Sequence, residues 1–136
     1  MRDVVFPTAK QASYDAYGYS AAVKSGGFLF VSGQVGADAA GAAIAEPSAQ
    51  FTQAFSNLAE VLDAAGCCFD DIVDVTTFHV NMYEYFETFA AVKAKIFPEP
   101  PFPNWTAVGV VNLADPALLL EIKVTAKLPK KEHTSA

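Results

Sequence analysis

The chain reads as an α+β protein, one β-sheet with two helices on one face, in the element order β-β-β-α-β-α-β-β. Three observations carry this. Apolar residues recur at steps of three and four in two stretches, Ser48–Ala65 and Glu84–Phe97, which marks amphipathic helices. Runs rich in β-branched and aromatic residues lie around them, as strands require. In the final run Leu120, Ile122, Val124 and Ala126 alternate with Glu121, Lys123, Thr125 and Lys127, the period of a strand with one buried face.

Taken in order, residues 1–6 hold a short first strand at Arg2–Phe6, and Pro7–Gly18 reads as loop. Tyr19–Lys24 and Phe28–Gly33 are two strands joined at Ser25-Gly26-Gly27, where glycine permits a tight hairpin turn. Phe28-Leu29-Phe30-Val31 is apolar on both faces and so needs cover on both. The first helix carries Phe51, Phe55, Leu58, Leu62 and Ala65 along one stripe, with Ser48 as its expected N-cap and Gly66 just past its end. Ile72–Val80 is a strand. The second helix presents Phe86, Phe89, Lys93 and Phe97 and ends before Pro98, since a residue preceding proline avoids the helical region. Pro98-Glu99-Pro100-Pro101-Phe102-Pro103 is a stiff loop leading into Asn104 and Trp105. Trp105–Asn112 and Leu118–Leu128 read as strands around a turn at Ala114-Asp115-Pro116, and residues 129–136 as a flexible tail.

The 136 residues fit a single domain, 1–136, able to bury a proper core. Two helices cover one face of such a sheet and leave the other bare. With 52% hydrophobic and only 18% charged residues, the composition points to subunit contacts on that bare face. The face carrying Glu121 is expected to look into an interface or a solvated cleft. No apolar run is long enough to span a membrane, and the N-terminus has no signal-peptide pattern, so a cytoplasmic location is expected. A net charge of −6 argues against nucleic acid as a partner; Lys127, Lys130 and Lys131 read as a solvated tail rather than a phosphate-binding patch.

Recognisable catalytic motifs are few. Gly33-Gln34-Val35-Gly36 has the wrong spacing for a dinucleotide fingerprint, and no His, Cys, Asp or Glu cluster has metal-ligand spacing, so no metal or cofactor is expected. The two histidines are His79, in a strand, and His133, in the tail. His79 reads as a structural histidine with a satisfied partner, which leaves a histidine-activated nucleophile poorly supported. Cys67 and Cys68 are adjacent and read as reduced thiols.

Several segments, in order, resemble the Rid (YjgF/RidA) family. They are Tyr19-Ser20-Ala21-Ala22-Val23 with Phe30-Val31-Ser32-Gly33-Gln34; Leu62-Asp63-Ala64-Ala65-Gly66 with Asp71-Ile72-Val73 and Thr76-Thr77-Phe78; and Trp105-Thr106-Ala107-Val108-Gly109-Val110 with Leu120-Glu121-Ile122-Lys123-Val124. The match runs from about Tyr19 to Leu128. The resemblance implies a chorismate-mutase-like fold, a homotrimer with clefts between subunits, and a small-molecule metabolite as partner. It also implies a candidate activity, the cofactor-free hydrolysis of reactive enamines and imines to keto acids and ammonia. Residue by residue, Glu121 matches the family's catalytic glutamate, Ser32 the serine of its Ser-Gly-Gln motif and Tyr19 its early tyrosine.

The family's substrate-binding arginine has no counterpart. Trp105 stands at its position, Asn104 and Thr106 on either side are uncharged, and Arg2 is the chain's sole arginine. Ala90 replaces a common asparagine of the second helix, and one extra residue falls between Leu113 and Glu121. The chain thus resembles a divergent branch with a similar Trp-Thr-Ala-Val-Gly-Val stretch and no arginine. Losing a bidentate contact to a buried carboxylate costs about 2–5 kcal/mol, or roughly two to four decades of affinity. Three readings follow: an imine or enamine hydrolase, with Glu121 as acid/base and Tyr19, Ser32, Asn104, Trp105 and Thr106 around the substrate; a non-catalytic small-molecule-binding homologue; and an endoribonuclease, which the acidic charge and lack of a basic groove argue against.

Overall fold

The last strand does not pair with the strand before it; it lies inside the sheet. The computed structural model describes residues 1–130, so residues 131–136 of the expected tail, His133 among them, lie outside the described residues. The elements are β1 (Asp3–Val5), α1 (Gln11–Tyr17), β2 (Ala22–Ser25), β3 (Phe28–Val35), α2 (Pro47–Ala64), β4 (Ile72–His79), α3 (Met82–Ile96), β5 (Asn104–Gly109) and β6 (Leu120–Lys127). One six-stranded sheet has the order β1-β2-β3-β6-β4-β5. β6 is antiparallel to both β3 and β4, while β4 and β5 run parallel.

The expected hairpin around Asp115 is therefore corrected. Asp115 does make a turn, its carboxylate accepting from Ala117 N–H and its carbonyl from Leu118 N–H. The turn belongs to a longer crossing, Val110–Leu119, that passes the end of β4, where Val110 N–H donates to His79 O and Val80 N–H to Leu119 O. The physical reason is the crossover: α3 returns the chain so that β5 enters parallel to β4, as a helix between parallel strands does, and only the other side of β4 is left for β6.

α2 forms where the apolar stripe required it, and Phe51, Phe55, Leu58 and Leu62 are buried. Its N-terminus differs from expectation. Glu46, not Ser48, caps it, with carboxylate oxygens accepting from Ser48 N–H at 3.1 Å and Ala49 N–H at 2.6 Å. A carboxylate there also suits the positive end of the helix dipole, and Pro47 loses nothing at the first helical position. At the other end Gly66 takes φ +76°, and the bonds Gly66 N–H to Asp63 O and Cys67 N–H to Leu62 O close the helix. The Gly26-Gly27 hairpin turn likewise has both residues at positive φ.

A second correction is α1, in a segment read as loop. Seven residues with none buried give no periodic signal, and so short a helix is not stable alone. It is held from outside: Tyr14 packs on Phe6 and Tyr19, and Lys10 forms an ion pair with Glu60 of α2. Among the described residues the fold thus has three α-helices, not two.

α2 and α3 cover the sheet face formed by Leu120, Ile122, Val124 and Ala126, all buried. Phe55 anchors the layer, its ring meeting Phe69, Phe89 and Phe97. Gln50, wholly buried, donates to Ile44 O and Ala117 O and accepts from Leu119 N–H, which pins the long crossing to α2. The opposite face is bare. Val4, Phe28, Phe30 and Val108 are exposed on it, in rows with Thr125, Phe78 and Glu121. Among the described residues no helix is long and apolar enough to cross a membrane.

Candidate functional site

Glu121 is the second residue of β6, and strand alternation turns it away from the helices, onto the bare face. Its neighbours in register are Val35 of β3 and Phe78 of β4. Between Val31 and Gln34 the pairing of β3 with β6 slips, a β-bulge at Ser32-Gly33. The bulge brings the Gly33 backbone onto the Glu121 side chain. A Cβ at Gly33 would lie 2.6 Å from the Glu121 carboxyl carbon, so any larger residue there would have to displace the Glu121 side chain. Burial pushes the Glu121 carboxyl above the ordinary value of 4.5, and Lys123, two residues along the same face, opposes that shift. No ion pair reaches Glu121 among the described residues.

Tyr19 sits at the end of the chain's path out of α1, half exposed, with its ring 5.0 Å from Tyr14 in an edge-on contact. Its phenol is raised first by burial and then by Tyr14, Glu121 and Tyr17, which puts Tyr19 in the electrostatic reach of Glu121. Ser32 lies in the bulge, but its hydroxyl donates to Ser20 O at 2.7 Å, so it ties β3 to the segment before β2. Gln34 is buried and donates to both the Tyr14 hydroxyl and Ser32 O. Tyr19 and Gln34 border a cleft of about 400 Å³ that Tyr14, Tyr17, Gly33 and Asp38 also line.

Asn104, Trp105 and Thr106 fall elsewhere. They are on β5, the far edge strand, and β4 separates them from β6. That puts β5 about 10 Å from β6 by strand spacing. Asn104 and Thr106 are exposed and pair with Asp74 and Thr76, so they share the bare face with Glu121. Trp105 pairs with the buried Val75 and points to the helices instead. Its ring packs against Phe89 and Phe97, its N–H donates to the Thr77 hydroxyl at 3.0 Å, and the Lys93 ammonium lies 4.1 Å above the ring. Within one chain, then, Tyr19, Ser32 and Glu121 are together and Trp105 is on the other side of the sheet.

His79 is the structural histidine expected. It is buried, its Nε2 is 2.8 Å from the Thr77 hydroxyl, and its ring stacks edge-on with Phe89. The same Thr77 oxygen accepts from the Trp105 N–H, so one hydroxyl joins the two rings. Burial lowers the His79 basicity. Cys67 is buried and Cys68 exposed, both as free thiols. Among the described residues no three His, Cys, Asp or Glu side chains converge on a metal-sized site. Sequence reasoning missed Tyr14, Gln34 as a cleft residue and Gly33 as the seat of Glu121. The Ser32-Gly33-Gln34 motif pointed to the place, but a bulge leaves no periodic signal.

The chain is similar over nearly its full length to known proteins. Residues 9–128 match the family model for endoribonuclease L-PSP. The RutC family protein YjgH of Escherichia coli is 48% identical over 96% of this chain and 98% of its own. The solved structure of protein YJGH, also 48% identical, superposes with a TM-score of 0.89 over 96% of this chain and 98% of that one. A 2-iminobutanoate/2-iminopropanoate deaminase of Dermatophagoides farinae is 34% identical over 70% of this chain and 74% of its own. With the six-stranded sheet, the helix layer and the Ser32-Gly33-Gln34 bulge against Glu121 all in place, the chain belongs to the endoribonuclease L-PSP family, that is, the YjgF/Rid proteins.

Proposed function

We propose that this chain is a hydrolase of a reactive imine or enamine, or a related small carbonyl metabolite, acting without metal or cofactor in clefts between the subunits of a homotrimer. The observation that carries the reading is Glu121: a half-buried carboxyl with raised pKa, no ion-pair partner among the described residues, and a seat against Gly33. Such a group suits proton transfer near neutral pH. In the step we propose, Glu121 takes a proton from water as the water oxygen bonds to the imine carbon. The protonated carboxyl returns the proton to nitrogen, giving a carbinolamine; Glu121 then carries the carbinolamine hydroxyl proton to the same nitrogen as the C–N bond breaks, releasing a carbonyl compound and ammonia or an amine. An enamine enters the same path after tautomerising to its imine. Tyr19 and Ser32 border the reacting group, and Asn104, Thr106 and Trp105 belong to the strand that a neighbouring subunit would bring to the cleft. Relatives named 2-iminobutanoate/2-iminopropanoate deaminase support the reaction class.

A second reading, a non-catalytic small-molecule-binding protein, is favoured by one observation: the tryptophan that stands where deaminating members carry arginine is turned into α3. RNA cleavage is disfavoured by the net charge of −6 and by a carboxylate at the site. The test is turnover of freshly generated 2-aminoacrylate and 2-iminobutanoate by wild type, Glu121→Gln and Trp105→Arg. Wild-type turnover that falls at least 100-fold in Glu121→Gln, on the order of a lost general acid/base, supports the hydrolase. Activity gained only in Trp105→Arg would mean a sound scaffold tuned to another ligand, and silence in all three would leave the binding-protein reading.

A further inference from the structure

A cleft on the helix side of the sheet plays no part in the imine chemistry. Gln34 pairs in register with the buried Ile122 and so faces the helix layer, whereas Glu121 faces the other way. The cleft lies between α1, the end of β3, residues 37–41 and Asn57 of α2, and Glu121 does not line it. Most polar groups around it are engaged within the chain. The Asn57 amide donates to Val35 O and Ala37 O and accepts from Gln53. Asp38 Oδ1 accepts from Ala40 and Ala42 N–H, and the Lys10 ammonium is held by Glu60 at 2.6 Å.

Gln34 and Tyr14 differ. Gln34 is 5% exposed, and its amide orientation is fixed because Ser32 O, a carbonyl, can only accept, so the nitrogen faces it. The same nitrogen donates to the Tyr14 hydroxyl at 3.2 Å. No hydrogen bond among the described residues reaches the Gln34 carbonyl oxygen, and no sealed side-chain polar atom is left unpartnered, so that oxygen opens to the cleft that Gln34 lines. The Tyr14 oxygen is occupied by the Gln34 N–H, which leaves the hydroxyl its own proton to give. A free acceptor and a free donor thus stand side by side, joined through one amide nitrogen, and both are uncharged.

We propose that this cleft is a second binding site, for a neutral cyclic amide. The ring N–H donates to the Gln34 carbonyl oxygen, the neighbouring ring carbonyl accepts from the Tyr14 hydroxyl, and the flat ring rests on Tyr17 and Tyr19. A ring forces its amide to be cis, which puts N–H and C=O on one edge. An open-chain secondary amide is trans and points them apart. The site stands whether or not Glu121 hydrolyses an imine.

The test is an NMR titration of the isotope-labelled full-length chain with 2-pyridone and, separately, N-methyl-2-pyridone, which keeps the ring and the carbonyl but lacks the N–H. The expected result is saturable shifts at the Gln34 side-chain amide and along α1 with 2-pyridone, and roughly tenfold weaker binding of the N-methyl compound, the effect of one hydrogen bond whose buried partner is left unpaired. Gln34→Met and Tyr14→Phe should each weaken 2-pyridone by about the same factor. Tyr14→Phe keeps the ring, and it serves if Gln34→Met melts early. Equal binding of the two pyridones would overturn the proposal. So would the absence of saturable shifts at Gln34 and α1, or unchanged 2-pyridone affinity in folded Tyr14→Phe.

Discussion

Thr77 shows how a single hydroxyl can join two rings. It accepts the Trp105 N–H and hydrogen-bonds His79 Nε2, and both rings pack on Phe89. Because burial lowers the His79 pKa below 6.5, the unfolded chain binds more protons than the folded one as pH falls under that value. The stability that neutral His79 carries is therefore full above pH 6.5 and is lost as pH drops through the lowered folded value. Glu121 works oppositely: its raised pKa favours the fold at low pH, and that contribution fades as pH rises from 4.5 through the folded value. The two oppose each other between about pH 4.5 and 6.5, so the His79 effect should be read in Glu121→Gln. There the thermal midpoint should fall steadily from pH 7 to pH 5, and a flat profile would remove His79 as a source of acid sensitivity. At this scale the sequence disclosed facing where alternation was clear, as at Glu121 on β6, and residue type alone elsewhere. His79 as a satisfied structural residue was legible because buried polar groups need partners. The direction of Trp105 was not, since an exposed edge strand of mixed residues, Asn104 to Gly109, carries no clear alternation.

The elements were legible wherever apolar spacing had enough length to declare itself, as in α2, α3 and the alternating β6. They were hidden where the cause lies outside the element. α1 depends on Tyr14 and on the Lys10–Glu60 pair, and β5 joins the sheet parallel because α3 carries it there. The contact between β3 and α2 was equally invisible. Gly36, just past β3, lies so close to α2 that a Cβ would fall 2.0 Å from Gln50 O. Gly36→Ala must push the helix off the sheet or twist the loop, an overpacking that costs about 1–3 kcal/mol and occasionally more. It should lower the denaturant midpoint with little change in slope, while Gly41→Ala, in open space but at φ +85°, tests backbone strain alone. Equal losses in the two would show that the close approach to α2 matters less than the geometry says.

For the whole molecule the sheet's two faces pose different problems. One is sealed by α2 and α3. The other carries Val4, Phe28, Phe30 and Val108 in water, an apolar strip of the kind that a lone soluble chain seldom leaves open. The composition argued for such a face before any coordinate did, and the family resemblance supplied a size for the assembly. Sedimentation at micromolar concentration should give a trimer, and Phe30→Glu, which sets a charge in the strip without touching the helix layer, should shift the mass toward monomer. A wild-type monomer would undo both the subunit cleft and the account of that face.

The central place of β6 has a consequence for how the chain comes into being. Synthesis runs from the N-terminus, so β1–β3 and the β4–α3–β5 unit emerge first, and each ends in an open edge, on β3 and on β4. Nothing joins those two half-sheets until Leu120–Lys127 slides between them. Until then the nascent protein holds two unfinished ribbons with exposed edges. The sheet becomes continuous only when β6, the last strand of the described residues, joins the two.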